Sequence, residues 1–523
     1  MKGMAIMKNN LFLRIIAMLI VVIMLGSMVV ACNNGGNGNT TDTGKKPSDS
    51  TQNNDKDDNT QTGTGDTPAT PDDEDEVEVI DMDGYELTAL ARETSWFANE
   101  VYAEPDTGDQ ILQAVYDRNW AIEEKYNCIL NQAFIPESDL TTWGISVKAG
   151  DNAYQYGLQH MMETAKESLN GTMLNLKLLP NVNLEADYWN QSMNEEMTVA
   201  NKIYFTANEF CTSSVYFTWL MIFNMEMCAE RNIDVYGMIE DGTWTIDNLY
   251  TIVSSSYEDN GNGILDFADD TFGLISHNNT VLVNYTFAFD IPVVHLDAAG
   301  KVVVDYNDAN TPMVTAVEKV YDLFWNSANG GYLMTDAVNS QTYNILHDEA
   351  LCTKFSEGTA LFANTRLLGL EVLRTSDTKY GIIPFPKFDE EQENYYSHVD
   401  GRSSLIFVAY TLPDSEYENV GLLLDELAKM TKKEVMPVIQ NAALIGRYSE
   451  DSDAYKCLEM TLNGRTYRFA YVFDFSLGSK PYWAMSKIVS SGSSSFTDYW
   501  KSKARTAERE INSTYQAYAK ANK

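Results

Sequence analysis

The chain has 523 residues, with 75 acidic against 37 basic side chains, a formal charge of -38 and 44% hydrophobic residues. So acidic a chain argues against nucleic acid as a partner, because phosphates call for Lys and Arg, and against electrostatic adhesion to anionic lipid. It is also too long for one ordinary core, so two domains or lobes are expected.

From the N-terminus, Lys2, Lys8 and Arg14 precede an apolar run from Ile15 to Val30 and the small residue Ala31. A basic start, an apolar core and a small junction residue make a secretory signal. A retained anchor would need roughly 20 apolar residues to span a bilayer, more than this run supplies. Val29-Val30-Ala31-Cys32 resembles the lipobox of bacterial lipoproteins. The resemblance implies cleavage after Ala31, acylation of Cys32, and a lipid-anchored location on the extracellular face of a Gram-positive cell membrane. Loss of residues 1–31 removes three positive charges and no acid, moving the formal charge from -38 to -41.

From Asn33 to Glu76 the only aliphatic residue is Ala69, and no aromatic occurs. Such a stretch cannot bury enough apolar surface to offset its ordering entropy, and the acids from Asp72 to Glu76 extend it by self-repulsion. Residues 32–80 therefore read as an acylated Cys followed by a disordered acidic tether. Beyond Cys32 the cysteines are Cys128, Cys211, Cys228, Cys352 and Cys457, with no Cys-x-x-Cys pair. That spacing makes neither a zinc site nor a small-domain disulfide framework, so buried free thiols are expected.

In the body, Tyr85, Leu87 and Ala89 alternate as a strand, and Ile111, Leu112, Val115, Ile122 and Tyr126 fit a helix over Asp109–Tyr126. Cys128–Phe134 reads as a strand, Leu140–Ala149 as a helix and Tyr156–Met161 as a strand, an alternation that predicts a parallel sheet. Further strands are expected at Ile203–Thr206, Val215–Phe223, Phe272–Ser276, Thr359–Ala363 and Leu405–Tyr410, with a hairpin closing at Val302–Val304 and extended chain at Leu174–Pro180 and Tyr380–Phe385. Helices are expected near Met225, from Ile246, over Pro312–Asn326 and Leu346–Glu357, and through nearly everything beyond Glu416. A chain that leaves one α/β unit, builds another and returns predicts two lobes with more than one crossing.

Four segments carry a more specific resemblance. Thr243-Trp244-Thr245-Ile246-Asp247, the Glu258–Leu274 loop, Phe355-Ser356-Glu357-Gly358-Thr359-Ala360-Leu361-Phe362 and Tyr380-Gly381-Ile382-Ile383-Pro384-Phe385-Pro386-Lys387 are similar, in this order, to segments of extracellular solute-binding proteins (family 1) of carbohydrate ABC importers. The resemblance implies an α/β, two-lobed periplasmic-binding-protein type II fold with crossing hinge strands. Its lobes would hold residues 81–218 with 390–430, and 219–385, with C-terminal helices 431–523 packing across them. It further implies a monomer that grips a sugar or oligosaccharide in the interlobe cleft and presents it to ABC permease subunits, with no cofactor required.

Carbohydrate clefts combine aromatic faces with fixed polar groups. The candidates are Trp96 after the first strand, the pair Tyr188 and Trp189, Glu209, Trp219 on the first crossing, Arg366 after the Thr359–Ala363 strand, and Asp400 with Arg402 before the Leu405 strand. Arg366 stands where related sugar binders often carry a stacking aromatic, a departure that argues against a maltodextrin-like ligand and leaves room for an acidic or otherwise polar one. The Glu258 loop has the spacing of a calcium site, with Glu258, Asn260, Asn262, Ile264 (through its carbonyl), Asp266 and Asp269 as ligands and Gly263 at the turn. Glu at the first position, neutral Asn262 and the short Asp269 depart from the usual set, and a surface turn is the alternative. No Gly-x-Ser-x-Gly, Walker or His-Glu-x-x-His motif occurs. The five histidines, 160, 277, 295, 347 and 398, are too dispersed for a local ligand cluster. A surface polysaccharide hydrolase or lyase, and a sensory or adhesive lipoprotein without transport, are the rival readings.

Overall fold

The computed structural model describes residues 80–136, 140–298, 300–444 and 452–522. These belong to the compact unit Glu76–Lys523. The signal, Cys32 and the tether as far as residue 79 lie outside the described residues.

Thirteen strands form among the described residues. β1 (Tyr85–Arg92), β2 (Cys128–Ile135) and β3 (Tyr156–His160) alternate with helices Gln110–Tyr126, Thr141–Ala149 and Met161–Ser168. β4 (Trp219–Asn224), β5 (Phe272–His277), the hairpin of β6 (Val294–Leu296) and β7 (Val302–Val304), β8 (Gly331–Met334), β9 (Ala360–Arg366) and β10 (Tyr380–Ile383) follow. β11 (Ser397–His398), β12 (Ser404–Val408) and β13 (Arg465–Thr466) complete the set.

One sheet has the order β12-β3-β1-β2 and a second the order β10-β4-β9-β5-β8. β1 runs parallel to β2 and β3, as the strand–helix alternation predicts, and β12 closes the edge antiparallel with Leu405 opposite Gln159. In the second sheet β5 is parallel to β9 and β8, while β4 is antiparallel to β9 with Trp219 opposite Arg366. Local chemistry sets the boundaries. Asp109 caps helix Gln110–Tyr126 by accepting from the Ile111 and Leu112 amides, and Asn127 ends it in the left-handed region. The stripe Ile111, Val115, Ile122 and Tyr126 faces inward, as its spacing requires.

The chain leaves the first sheet after β3, builds the whole second sheet and returns as β12. The two passages lie side by side: Thr218 bridges Val399 antiparallel, and the Asp400 N–H donates to the Phe217 carbonyl at 3.0 Å. The C-terminal segment touches both lobes. Helix Phe469–Val472 packs on Met161–Ser168, Ala484–Ser490 packs on Met313–Trp325, and Ser452–Asn463 packs on β10.

Two expected strands differ. Ile203–Thr206 is buried, yet only Thr206 pairs, through a single bridge to Ile406. Of Val215–Phe223, the first part is the end of helix Ser213–Tyr216, and strand begins at Trp219. The Glu100 carboxylate accepts from the Ser213 amide at the start of that helix, a partner remote in sequence. Cys128, Cys211, Cys228, Cys352 and Cys457 are buried and form no disulfide among the described residues, as expected. Among the described residues no helix is long and apolar enough to cross a membrane.

Candidate functional site

Strand direction places one edge of each sheet against the crossings. In the first sheet β1 ends at Arg92, β3 ends at His160 and the antiparallel β12 begins at Ser404. In the second, β5 ends at His277, β9 ends at Arg366 and the antiparallel β4 begins at Trp219. Open α/β sheets present ligands to the crevice outside the carboxyl ends of their strands. Here two such ends share one floor.

Arg366 is the hub on the side of the second sheet. Its Nε lies 3.2 Å from both oxygens of Asp348, its Nη2 donates to Asp348 Oδ2, and its Nη1 lies 3.6 Å from Asp400 Oδ1. The guanidinium carbon sits 4.8 Å above the Phe217 ring and 5.2 Å from the Trp219 ring. His347 stacks on Trp219 at 6.1 Å, and His277 stacks on His347 at 4.8 Å. Asp348 comes from the first turn of helix His347–Ser356. Gly369 lets the next turn approach it, since a Cβ there would fall 2.2 Å from Thr365 Oγ1 and 3.2 Å from the Asp348 Cβ. Burial opposes ionisation of Asp348 and Asp400, but Arg366 outweighs it and holds both carboxyls below the usual range. Burial likewise works against the guanidinium charge, and Asp348 and Asp400 overcome it.

On the side of the first sheet, the Arg92 guanidinium lies 3.3 Å from the centroid of the Phe97 ring and donates to Ser404 Oγ at 2.6 Å. Ser404 Oγ in turn donates to Glu100. Phe97 stacks on Phe217 at 5.6 Å. His160 stacks on Phe475 at 5.4 Å, and Phe475 carries the Lys480 ammonium 5.2 Å above its ring. The Tyr471 hydroxyl accepts from the Gly401 amide at 3.0 Å.

Among the described residues, several buried polar atoms on or beside this floor have no hydrogen-bond partner, including Trp219 Nε1, His277 Nδ1, His398 Nε2 and Ser403 Oγ. Buried polar groups are paired with few exceptions, so atoms left open where two lobes meet are suited to a polar ligand. Burial, followed by the neighbouring His347, pushes the His277 pKa down to about 4 against the pull of Asp336. His277 is therefore a neutral ring at physiological pH, able to donate or accept.

Of the residues nominated from sequence, the fold brings together Trp219, Arg366 and Asp400, with Arg402 exposed at their edge and its amide donating to Asp400. The Trp96 side chain lies outside the described residues. Tyr188 and Trp189 both direct their polar atoms to Asp425, at 2.7 and 3.0 Å, and Glu209 pairs with Arg465, so these three are held by their own partners. Two carboxylates already claim the charge of Arg366. Although far apart in sequence, His277 and His347 are stacked by the fold. Face-to-face rings do not aim two nitrogens at one ion, and no group of three or more His, Cys, Asp or Glu among the described residues could hold a metal. His160, Phe217, His277, His347 and Asp348 were not nominated. Their common signal is position, at the end of a strand, on a crossing or at the start of a helix facing the crevice.

In the Glu258 loop four of the nominated residues already have partners. Glu258 pairs with Arg231 at 2.7 Å, Asn260 and Asn262 accept from the amides of Asn262 and Ile264, and Asp266 accepts from Ala268. The buried centre is Asp270, outside the nominated set, which accepts from the Asn260 and Asp266 amides and the Tyr257 hydroxyl. The thermal midpoint is expected to be the same in calcium and in a calcium chelator, and to fall further for Asp270→Ala than for Asp269→Ala. A calcium-dependent rise that Asp266→Ala abolishes would instead assign the loop to the ion.

No protein-family model matches the chain, and no curated protein matches it. Among solved structures it is similar to the cyclic α-maltosyl-1,6-maltose binding protein of Arthrobacter globiformis, at 13% identity over 83% of this chain and 99% of that one, with a TM-score of 0.52. It is also similar to the ABC substrate-binding protein Lmo0181 of Listeria monocytogenes in complex with cycloalternan, at 13% identity over 83% and 99% of the two chains, with a TM-score of 0.50. A cyclo/maltodextrin-binding protein complexed with maltotetraose gives 11% identity, 83% and 96% coverage and a TM-score of 0.50. At these identities the likeness is one of fold: α/β and two-lobed, of the periplasmic-binding-protein type.

Proposed function

We propose that this chain is the lipid-anchored solute-binding subunit of an ABC importer, capturing a carbohydrate or sugar-derived solute between its lobes and passing it, unchanged, to a membrane permease. The observation that carries the reading is the shared floor, where strand ends of two sheets meet across two paired crossings with aromatic rings and unpartnered polar atoms between them. Aromatic faces suit the C–H side of a sugar ring, and fixed polar groups suit its hydroxyls. The ligands named for the structural neighbours, maltotetraose, cycloalternan and cyclic α-maltosyl-1,6-maltose, are of this class. Acylation of Cys32 supplies the anchor, and the acidic stretch behind it supplies reach.

The ligand is expected to be uncharged or cationic, because Arg366 is neutralised while Asp336 is largely exposed beside the floor. A thermal-shift screen of neutral, amino and acidic sugars tests this. A micromolar ligand at millimolar concentration adds roughly 4 kcal/mol, a plain rise in midpoint. Calorimetry with product analysis then separates binding from turnover. Release of cleaved product from any glycan would overturn the reading in favour of an enzyme, and a rise confined to acidic sugars would overturn the charge argument.

A further inference from the structure

Most buried apolar side chains of the protein fall into two large clusters, but Phe97, Phe217 and Leu368 form a third, small one. Its members come from three places. Phe97 lies on the short helix Ser95–Ala98 after β1, Phe217 on the crossing, and Leu368 on the 3-10 helix that follows β9. They are 1%, 3% and 4% exposed, and Tyr216 packs against them. Each Phe is backed by a guanidinium from its own side, Arg92 behind Phe97 and Arg366 above Phe217, so the stack runs Arg92, Phe97, Phe217, Arg366, Trp219, His347, His277 from one sheet edge to the other. A core of this size does nothing for either lobe alone. Phe97 and Leu368 reach it from opposite lobes, so hinge opening would expose both to water.

We propose that Phe97 and Leu368 are a hydrophobic latch that holds the lobes together without solute, and so set solute affinity as positioning residues. The proposal deepens the solute-binding reading of the same cleft and rests on it. A latch that closes the empty protein lowers the cost of closure left for the solute to supply, because a ligand shifts a two-state equilibrium only by its preference for one state.

The test needs no ligand. Spin labels at Ile145→Cys on the first lobe and Ile264→Cys on the second, both exposed positions, report the interlobe distance in the unliganded protein. With the latch intact a single short distance is expected, and Phe97→Ala or Leu368→Ala should shift it several ångströms longer. Leu368→Ala, the smaller truncation, keeps the test usable if Phe97→Ala folds poorly. Identical distances in parent and variants, with only the thermal midpoint lowered, would overturn the latch and leave these residues as ordinary packing. Failure to find any sugar ligand would instead count against the solute-binding reading, and the distance measurement is independent of it.

Discussion

Replacing Arg366 by methionine is expected to cost the protein about 3–5 kcal/mol of stability, the usual consequence of removing one partner from a buried ion pair. Asp348 and Asp400 are both buried, and Arg366 is the cation their side chains face. Without it, two largely buried carboxylates remain without their cation, and they must take up protons or open the fold. The urea midpoint should fall with little change in slope, which identifies lost stability rather than altered compactness. Arg366→Lys should recover little, because an ammonium cannot repeat the fork that meets Asp348 through Nε and Nη2 at once. Joint replacement of Arg366, Asp348 and Asp400 by apolar residues of similar volume should recover much of the loss, since the expense lies in stranded charge. A small effect of Arg366→Met alone would mean that the guanidinium is free for solute.

The second large effect is a loss of stability on the acid side, carried by His277. Its folded pKa is about 4, pressed down first by burial and then by His347, whereas the unfolded chain titrates near 6.5. The unfolded state therefore binds the proton first. The contribution of the neutral ring is whole above pH 6.5 and is lost as pH falls through about 4. The difference between those two values corresponds to roughly 3 kcal/mol. His398, pressed to about 3 by burial, acts in the same direction. Glu100, Glu196, Asp290 and Asp474, whose pKa values burial raises, act oppositely and offset part of the loss. Comparison of the parent with His277→Gln removes that background: the variant should show a flatter stability profile between pH 6.5 and 4. Parallel profiles would show that the ring is not held neutral by the fold.

Strands whose apolar pattern was unambiguous, such as Cys128–Ile135 and Ser404–Val408, were legible in the chain, as was the capped helix beginning after Asp109. Ile203–Thr206 was misread because apolar residues lining a core look the same whether or not the backbone finds a partner along its length. Half of the floor was legible in the same limited sense. Trp219, Arg366 and Asp400 could be nominated from motif position, but nothing local reveals that Arg366 would be neutralised from two directions. His277 and His347 were passed over because their separation along the chain hides the crossover that stacks them.

Composition and local pattern thus determine what each segment can be: a basic and apolar leader, an acidic stretch without core residues, alternating strands and helices enough for two sheets. Those are properties of neighbours along the chain, set by periodicity, charge and entropy. Only the tertiary structure decides which carboxylates meet Arg366, which rings stack across the crossings and which polar atoms are left without partners. Each of these depends on the distance between residues far apart in sequence, and that distance is fixed by the packing of two lobes about a hinge.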